Sequence, residues 1–297
     1  MVQTVTAAES EVAAPPEDST RPRRVRRTHS ALRLFRRPGF TLATVFVVFV
    51  IVTAFVPSLF TSTDPYATEP ALRLREPSAT HLFGTDDVGR DLWARTLYGS
   101  ELTVRAALIA IGIALCAGLV FGVISGFFGG RVDAVVMRSI DVQLAIPGLL
   151  LALAIVTALG FGTVPVAIAV GIATVPGFAR TTRAEVLRVK TLPYVEAARA
   201  GGAGWPRVLI RHILPNSWGP VSGLAVLEFG TAIISVAALS FLGFGAAPPR
   251  AEWGSLIAGG RNYLLTAPWV SLLPGAMVVV TVLSLNHIAK TLQQVRR

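Results

Sequence analysis

Charge is what this chain has least of. Of its 297 residues, 15% are Asp, Glu, Lys or Arg, 53% are hydrophobic, and the mean hydropathy is +0.61. A soluble domain carries about 25% charge, so the shortage excludes an ordinary water-soluble globule and points to an integral membrane protein. Cysteine is nearly missing too: Cys116 stands alone in an apolar run, has no internal disulfide partner, and is read as a packing residue. The four histidines, His29, His81, His212 and His287, lack ligand spacing, so no metal site is expected. Lysine occurs only at Lys190 and Lys290, neither after a glycine. A G-x-x-x-x-G-K-[ST] phosphate loop is therefore excluded, and the chain is not its own ATPase by that route. There is no His-Glu-x-x-His, no G-x-S-x-G, and no nucleophile–base pair in the apolar segments, so no catalytic residue is assigned and a membrane enzyme is disfavoured. The net charge of +10 and isoelectric point near 11.0 do not indicate nucleic acid, because the basic groups sit at the ends of apolar runs.

The runs set the organisation. Residues 1–38 read as a cytoplasmic tail, largely disordered, ending in Arg21, Arg23, Arg24, Arg26, Arg27, Arg33, Arg36 and Arg37. By the positive-inside rule this cluster holds the N-terminus in the cytoplasm. No charge separates Arg37 from Asp64, and Phe40–Phe60 matches the ~20 residues of a span, giving a first transmembrane helix over 39–62. Residues 63–103 form an extracytoplasmic segment, with seven acidic and four basic residues over Thr61–Glu101. Within it, Asp86, Asp87 and Asp91 lack the ligand count of a calcium loop. Capping at Thr85/Asp86 and surface contacts of Asp87 with Arg90 or near Asp91 are expected instead, and Trp93 and Tyr98 are read as interfacial aromatics. A five-helix core over 104–290 follows, with a short tail at 291–297. The second span covers about Val104–Phe128, the third Val142–Leu159, the fourth Val164–Phe178, the fifth Pro220–Gly243 and the sixth Pro268–Ala289. Six spans with both termini inside satisfy the charge rule at every loop, which predicts an all-α bundle. Ala114, Gly118, Gly122, Gly126 and Gly130 recur every four residues. This puts small residues on one face of the second span for close helix packing.

Between the fourth and fifth spans lies a patterned polar loop, 180–216. Arg180, Arg183, Arg188, Lys190, Arg199, Arg207 and Arg211 face only Glu185 and Glu196, which places it inside. Thr181–Lys190 should prolong the fourth span. Pro193 breaks it, Tyr194–Ala200 forms a short helix, and Gly201-Gly202-Ala203-Gly204 stops that helix. Pro206–Ile213 forms a second short helix, which Pro215 ends just before the fifth span. Ala197 and Ala198 would be exposed where a partner could approach. The bland alternative is an amphipathic connector lying on anionic lipid.

Glu196-Ala197-Ala198, three residues, Gly202, then eleven residues to Leu214-Pro215 resemble the EAA motif of ABC-importer permeases. His81-Leu82-Phe83-Gly84-Thr85-Asp86, Ala145-Ile146-Pro147-Gly148, Leu239-Ser240-Phe241-Leu242-Gly243, Glu252-Trp253-Gly254 and Leu273-Pro274-Gly275 are similar, in order, to segments of the dipeptide/oligopeptide/nickel branch. The resemblance covers about Arg33 to Asn286. It departs at Gly201, at His212, and after Asn286, where His287-Ile288-Ala289-Lys290 replaces a run containing an acidic group. The resemblance implies a type I importer permease, a six-helix bundle in the bacterial cytoplasmic membrane. Its implied partners are a homologous permease in a heterodimer, two ATP-binding subunits that use ATP and Mg, and an extracytoplasmic substrate-binding protein. The chain itself would be non-catalytic and hold no cofactor. Glu196, Ala197, Ala198 and Gly202 would meet the ATPase, with Leu214 and Pro215 anchoring the second short helix to the fifth span.

Glu228 lies in the fifth span, where an ionisable group is costly. It is a candidate for the translocation path, with Ser235 and Ser240, or equally a packed, hydrogen-bonded or protonated group facing a partner helix. An ATP-independent secondary transporter or channel is the alternative function. That class predicts midplane charge pairs and related halves, and neither is found.

Overall fold

The computed structural model describes residues 38–296; the N-terminal arginine cluster lies outside them. Ten helices follow in order: α1 Pro38–Phe55, α2 Leu92–Phe128, α3 Gly130–Leu144, α4 Gly148–Leu159, α5 Thr163–Lys190, α6 Pro193–Ala200, α7 Trp205–Val208, α8 Leu214–Phe241, α9 Trp253–Gly260 and α10 Trp269–Arg296. Among the described residues, five continuous helical segments are long and apolar enough to cross a membrane, and the bent pair of α3 and α4 counts as a sixth if the two make one span.

The third span is therefore not the single helix expected over Val142–Leu159. The chain turns by 89° between α3 and α4. Pro147 precedes α4 and has no N–H to continue α3, and it also disfavours the helical conformation at Ile146. Charge along the sequence does not show this corner, because α3 ends in the same apolar run that begins α4.

The tightest pairing joins α2 to α5. A Cβ on Gly118 would stand 2.3 Å from Phe178 Cβ, one on Gly122 2.5 Å from Thr182 Cβ, and one on Gly126 2.9 Å from Val186 Cβ. Both partners advance by four residues, so the two helices run parallel and meet along one face of each. Ala114 continues the seam fully buried, and Gly171 answers it from α5, its missing Cβ 2.9 Å from Ala110 O. Gly130 does not belong to the seam: it has φ +54°, lies open, and begins α3.

At the end of the bundle away from the patterned loop, residues 56–91 fold over α2. The cap of α2 is Asp91, not Thr85 or Asp86: its carboxylate accepts from Ala94 N at 2.7 Å and pairs with His81 Nδ1 at 2.8 Å. Asp86 serves a turn instead, accepting from Val88 N and Arg90 N and pairing with Arg90 Nε at 2.6 Å. The expected contacts of Asp87 are thus made by its neighbour. Trp93 stacks on Phe49 of α1 and meets Phe83 edge-on. α9 locks onto α2 and α8: Trp253 Nε1 donates to Thr96 O at 2.9 Å, and a Cβ on Gly254 would stand 2.2 Å from Ala237 O.

The seam makes a direct prediction. Gly118→Ala or Gly122→Ala forces the backbones apart, and overpacking of this kind costs about 1–3 kcal/mol. Each should lower the melting temperature of the detergent-purified protein, whereas Gly112→Ala, which meets nothing within 4 Å, should not lower it.

Candidate functional site

The patterned loop is a rigid foot. α5 runs without interruption to Lys190, as expected, and Pro193 occupies the first turn of α6, where its lack of an N–H does no harm. Val195, fully buried, points inward onto Val186 and Val189 of α5 and Phe127 of α2, with Val208 and Ile213 completing a small core. Burying a side chain of this size contributes roughly 1.5–3 kcal/mol. Lys190 Nζ donates to Phe127 O at 2.6 Å and sits 5.6 Å from the Phe127 ring centroid, which places a cation at the C-terminal end of α2. Trp205 packs against Phe127 and Phe128.

Only the inner face of α6 is used in this way. Glu196 and Ala197 are exposed and Ala198 is half-buried. Gly202 has φ +82°, Ala203 N donates to Ala198 O, and Gly202 N donates to Arg199 O. This is a Schellman stop, in which a left-handed residue lets two N–H groups satisfy the last carbonyls of the helix. Gly201 takes ordinary right-handed backbone at φ −75° and leaves α6 intact.

The second half of the loop differs from expectation. Pro215 does not end a short helix. α7 passes through a π-helical turn, Leu209–Ile213, directly into α8, and the whole of Trp205–Phe241 is one long helical segment. The widened turn, closed by Leu214 N donating to Leu209 O, sits just before Pro215 and absorbs its missing hydrogen bond. Asn216 Nδ2 caps His212 O at 2.7 Å and Ser217 Oγ caps Ile213 O at 2.9 Å. Leu214, half-buried, lines an apolar groove with Leu119, Val123 and Thr182, while Pro215 is exposed. His212 faces Tyr194 across the foot, ring centroids 6.3 Å apart.

Sequence reasoning missed the clamp beside the foot. α3 lies antiparallel along α5. Asp133 receives Arg183 Nε and Nη2, each at 2.6 Å, in a fork-to-fork pair, and Ser125 Oγ of α2 donates to the same carboxylate. Asp141 pairs with Arg180 at 2.6 Å. Gln143 Nε2 donates to Ile172 O at 2.6 Å, the carbonyl that Pro176 leaves without a helical partner. The available signal was two acids eight residues apart on α3, facing two arginines three apart on α5.

The three path candidates separate. Glu228 and Ser235 share a cavity of about 330 Å³ with Thr231, facing Gly148 and Leu149 of α4 and Pro176 and Gly177 of α5. Ser240, buried, belongs to a different cavity at the end of the bundle away from the foot, lined also by Arg95, Arg250 and Arg261. Beside Ser240 lies Glu252, fully buried just before α9, with Oε2 accepting from Ala246 N at 2.9 Å. Burial pushes its carboxyl above the usual carboxylate range. Among the described residues no cluster of His, Cys, Asp or Glu is arranged to hold a metal ion.

Residues 118–295 match the family of binding-protein-dependent transport-system inner-membrane components. The chain belongs to this family. The permease is 41% identical over 245 residues to a dipeptide transport system permease of Alkalihalophilus pseudofirmus, covering 82% of this chain and 80% of that one. It is 41% identical over 246 residues to a probable D,D-dipeptide transport system permease of Escherichia coli (83% and 82%). It is also 36% identical over 255 residues to a glutathione transport system permease of Pectobacterium atrosepticum (86% and 85%). Its fold is that of solved ABC-transporter permeases. An inward-facing methionine ABC transporter superposes with TM-score 0.56 at 16% identity, over 68% of this chain and 97% of that one, and an amino acid ABC transporter with histidines at 0.53 and 17%, over 67% and 93%. The permease is thus a multi-pass protein of the bacterial plasma membrane, a membrane subunit of a larger transport complex, and the ATP-independent alternative is disfavoured.

The two loop glycines should behave oppositely. Gly202→Ala places a Cβ on left-handed backbone and should destabilise the foot by about 1 kcal/mol. Gly201→Ala, whose Cβ would meet Ala197 O at an acceptable 3.4 Å, should stabilise it by roughly 0.4–1 kcal/mol. Limited proteolysis within residues 191–213 reads both.

Proposed function

We propose that this permease is one half of a heterodimeric pathway for dipeptides or oligopeptides, and that its foot receives force from a separate ATPase. The peptide cargo is supported by the relatives, whose names give dipeptide, peptide or glutathione transport. The ATPase contact is supported by one observation above the others. α6 is fixed from behind by fully buried Val195, yet it offers Glu196 and the small side chain of Ala197 to the outside. A helix tied to the bundle and bare on its far face suits a cleft in a partner chain. Glu196 supplies the polar contact, Ala197 and Ala198 permit close approach, and Gly202 turns the chain. Leu214 and Pro215 continue the foot into α8 through the π turn, so displacement of the foot is carried directly into a spanning helix.

In this scheme both termini and the foot lie in the cytoplasm, ATP and Mg are held by two partner subunits, and a binding protein delivers cargo at the opposite face. Closure of the ATPase pair pushes the foot. α5 and α8 then move together, because Val186, Val195 and Ile213 belong to one packed cluster. The homologous subunit covers α4, which leaves Leu149, Leu150 and Leu159 exposed. Hydrolysis takes place on the ATPase chains and this chain contributes no catalytic group.

Glu196→Arg reverses the charge on the exposed face without touching Val195. It should abolish co-purification of the ATPase subunits and lower ATP-dependent uptake at least tenfold, while the membrane subunits still assemble. Retained ATPase binding with normal uptake would sink the docking scheme.

A further inference from the structure

The carboxylate of Glu228 is the one ionisable group on the wall of its cavity. It is half-buried in a spanning helix, and among the described residues it pairs with no cation and accepts no hydrogen bond. Its neighbours carry nothing that would neutralise it. Thr231 and Ser235 follow at three and seven residues, so all three side chains lie on one face of α8. Opposite stand the apolar wall of α4 and Gly177, whose missing side chain leaves Glu228 Oε1 3.9 Å from where a Cβ would be. An unpaired carboxylate in a spanning helix is costly, and among the described residues nothing offsets it. A cation to pair with it would have to come from outside these residues, and the cavity is near the lower size limit of ligand pockets.

We infer that this cavity selects cargo by charge: Glu228 receives an ammonium group of the passing peptide, with the hydroxyls of Thr231 and Ser235 beside it, and disfavours cargo of net negative charge. This rests on the peptide-importer reading above. A fixed carboxylate with no cation on the same wall lowers the barrier for a cationic solute and raises it for an anionic one, and at a few ångströms in a partly dry site the effect exceeds tenfold. The Glu228 carboxylate is also distinct from the coupling foot, so altering it leaves ATPase docking alone.

The test uses the complete importer, purified through this chain and reconstituted in proteoliposomes with its binding protein, and measures ATP-dependent uptake of labelled lysyl-alanine, dialanine and alanyl-glutamate. Glu228→Gln should reduce the ratio of lysyl-alanine to alanyl-glutamate uptake about tenfold, with complex yield unchanged, and Glu228→Asp should keep most of the ratio. Thr231→Lys, which puts a cation on the same wall of the otherwise unaltered chain, should shift the ratio in the same direction and provides the answer if Glu228→Gln fails to assemble. A ratio unchanged in Glu228→Gln and Thr231→Lys overturns the inference. So does an unchanged ratio in Thr231→Lys where Glu228→Gln loses the complex. If the unaltered importer moves none of the three peptides, the peptide reading itself fails and charge selection of peptides falls with it. Peptide uptake that persists with an unchanged ratio in the variants refutes charge selection alone and leaves the peptide reading standing.

Discussion

Where Gly118, Gly122 and Gly126 meet Phe178, Thr182 and Val186, two helix backbones lie close enough that a single added Cβ would collide. In lipid there is no hydrophobic drive to bring helices together, so association depends on the quality of contact. Small residues at every fourth position supply it, because each removes an obstacle at the same point of successive turns. The seam fixes the relative height of α2 and α5, and with it the level of both ends of the bundle. Phe127, one residue past the last seam glycine, is held where Val195 and Lys190 can reach it. At the far end, the N-terminal turns of α2 meet α9 through Thr96 and Trp253.

The foot inherits its rigidity from this seam. A loop that merely joins two spans would be free to move over the surface, and force applied to it would be lost in its own flexing. Here the inner face of α6 is cemented by apolar burial, Gly202 closes its end with two hydrogen bonds, and the next helix runs on without a break. Each of these removes a degree of freedom.

Charge placement made the spans legible in the sequence, apart from the corner in the third, and the four-residue spacing of small residues did the same for the packing face of α2, because both follow from rules that act residue by residue. The foot was partly legible: the break at Pro193 and the stop at Gly201-Gly202 obey local backbone chemistry. What failed was set by partners distant in sequence. Pro215 reads as a helix end by itself, but a π turn before it and the side chains of Asn216 and Ser217 satisfy the carbonyls nearby. Asp91 outcompetes Asp86 as the cap because His81, ten residues back, pairs with it while Arg90 takes Asp86. The pairing of Asp133 with Arg183 spans fifty residues, a distance over which periodicity carries no information. Of the path candidates, Glu228 and Ser235 share a face by helical period, and Ser240, five residues further on, falls into another cavity.

The corner between α3 and α4 ties these parts together. Pro147 makes the corner and Pro176 strips a hydrogen bond from Ile172 O on the facing helix; Gln143, just before the corner, supplies the missing donor. The two prolines are thus not independent defects, because a single side chain satisfies the carbonyl freed by one at the position fixed by the other. Before the corner, α3 is clamped to α5 by Arg183 and Arg180. After it, α4 buries only Ala152 and Val156 and stands as the open wall of the Glu228 cavity. In the proposed scheme the seam and foot take the force and α4, thinly packed, faces cargo, with Gln143 and the α3 clamp as the contacts that join the two sides.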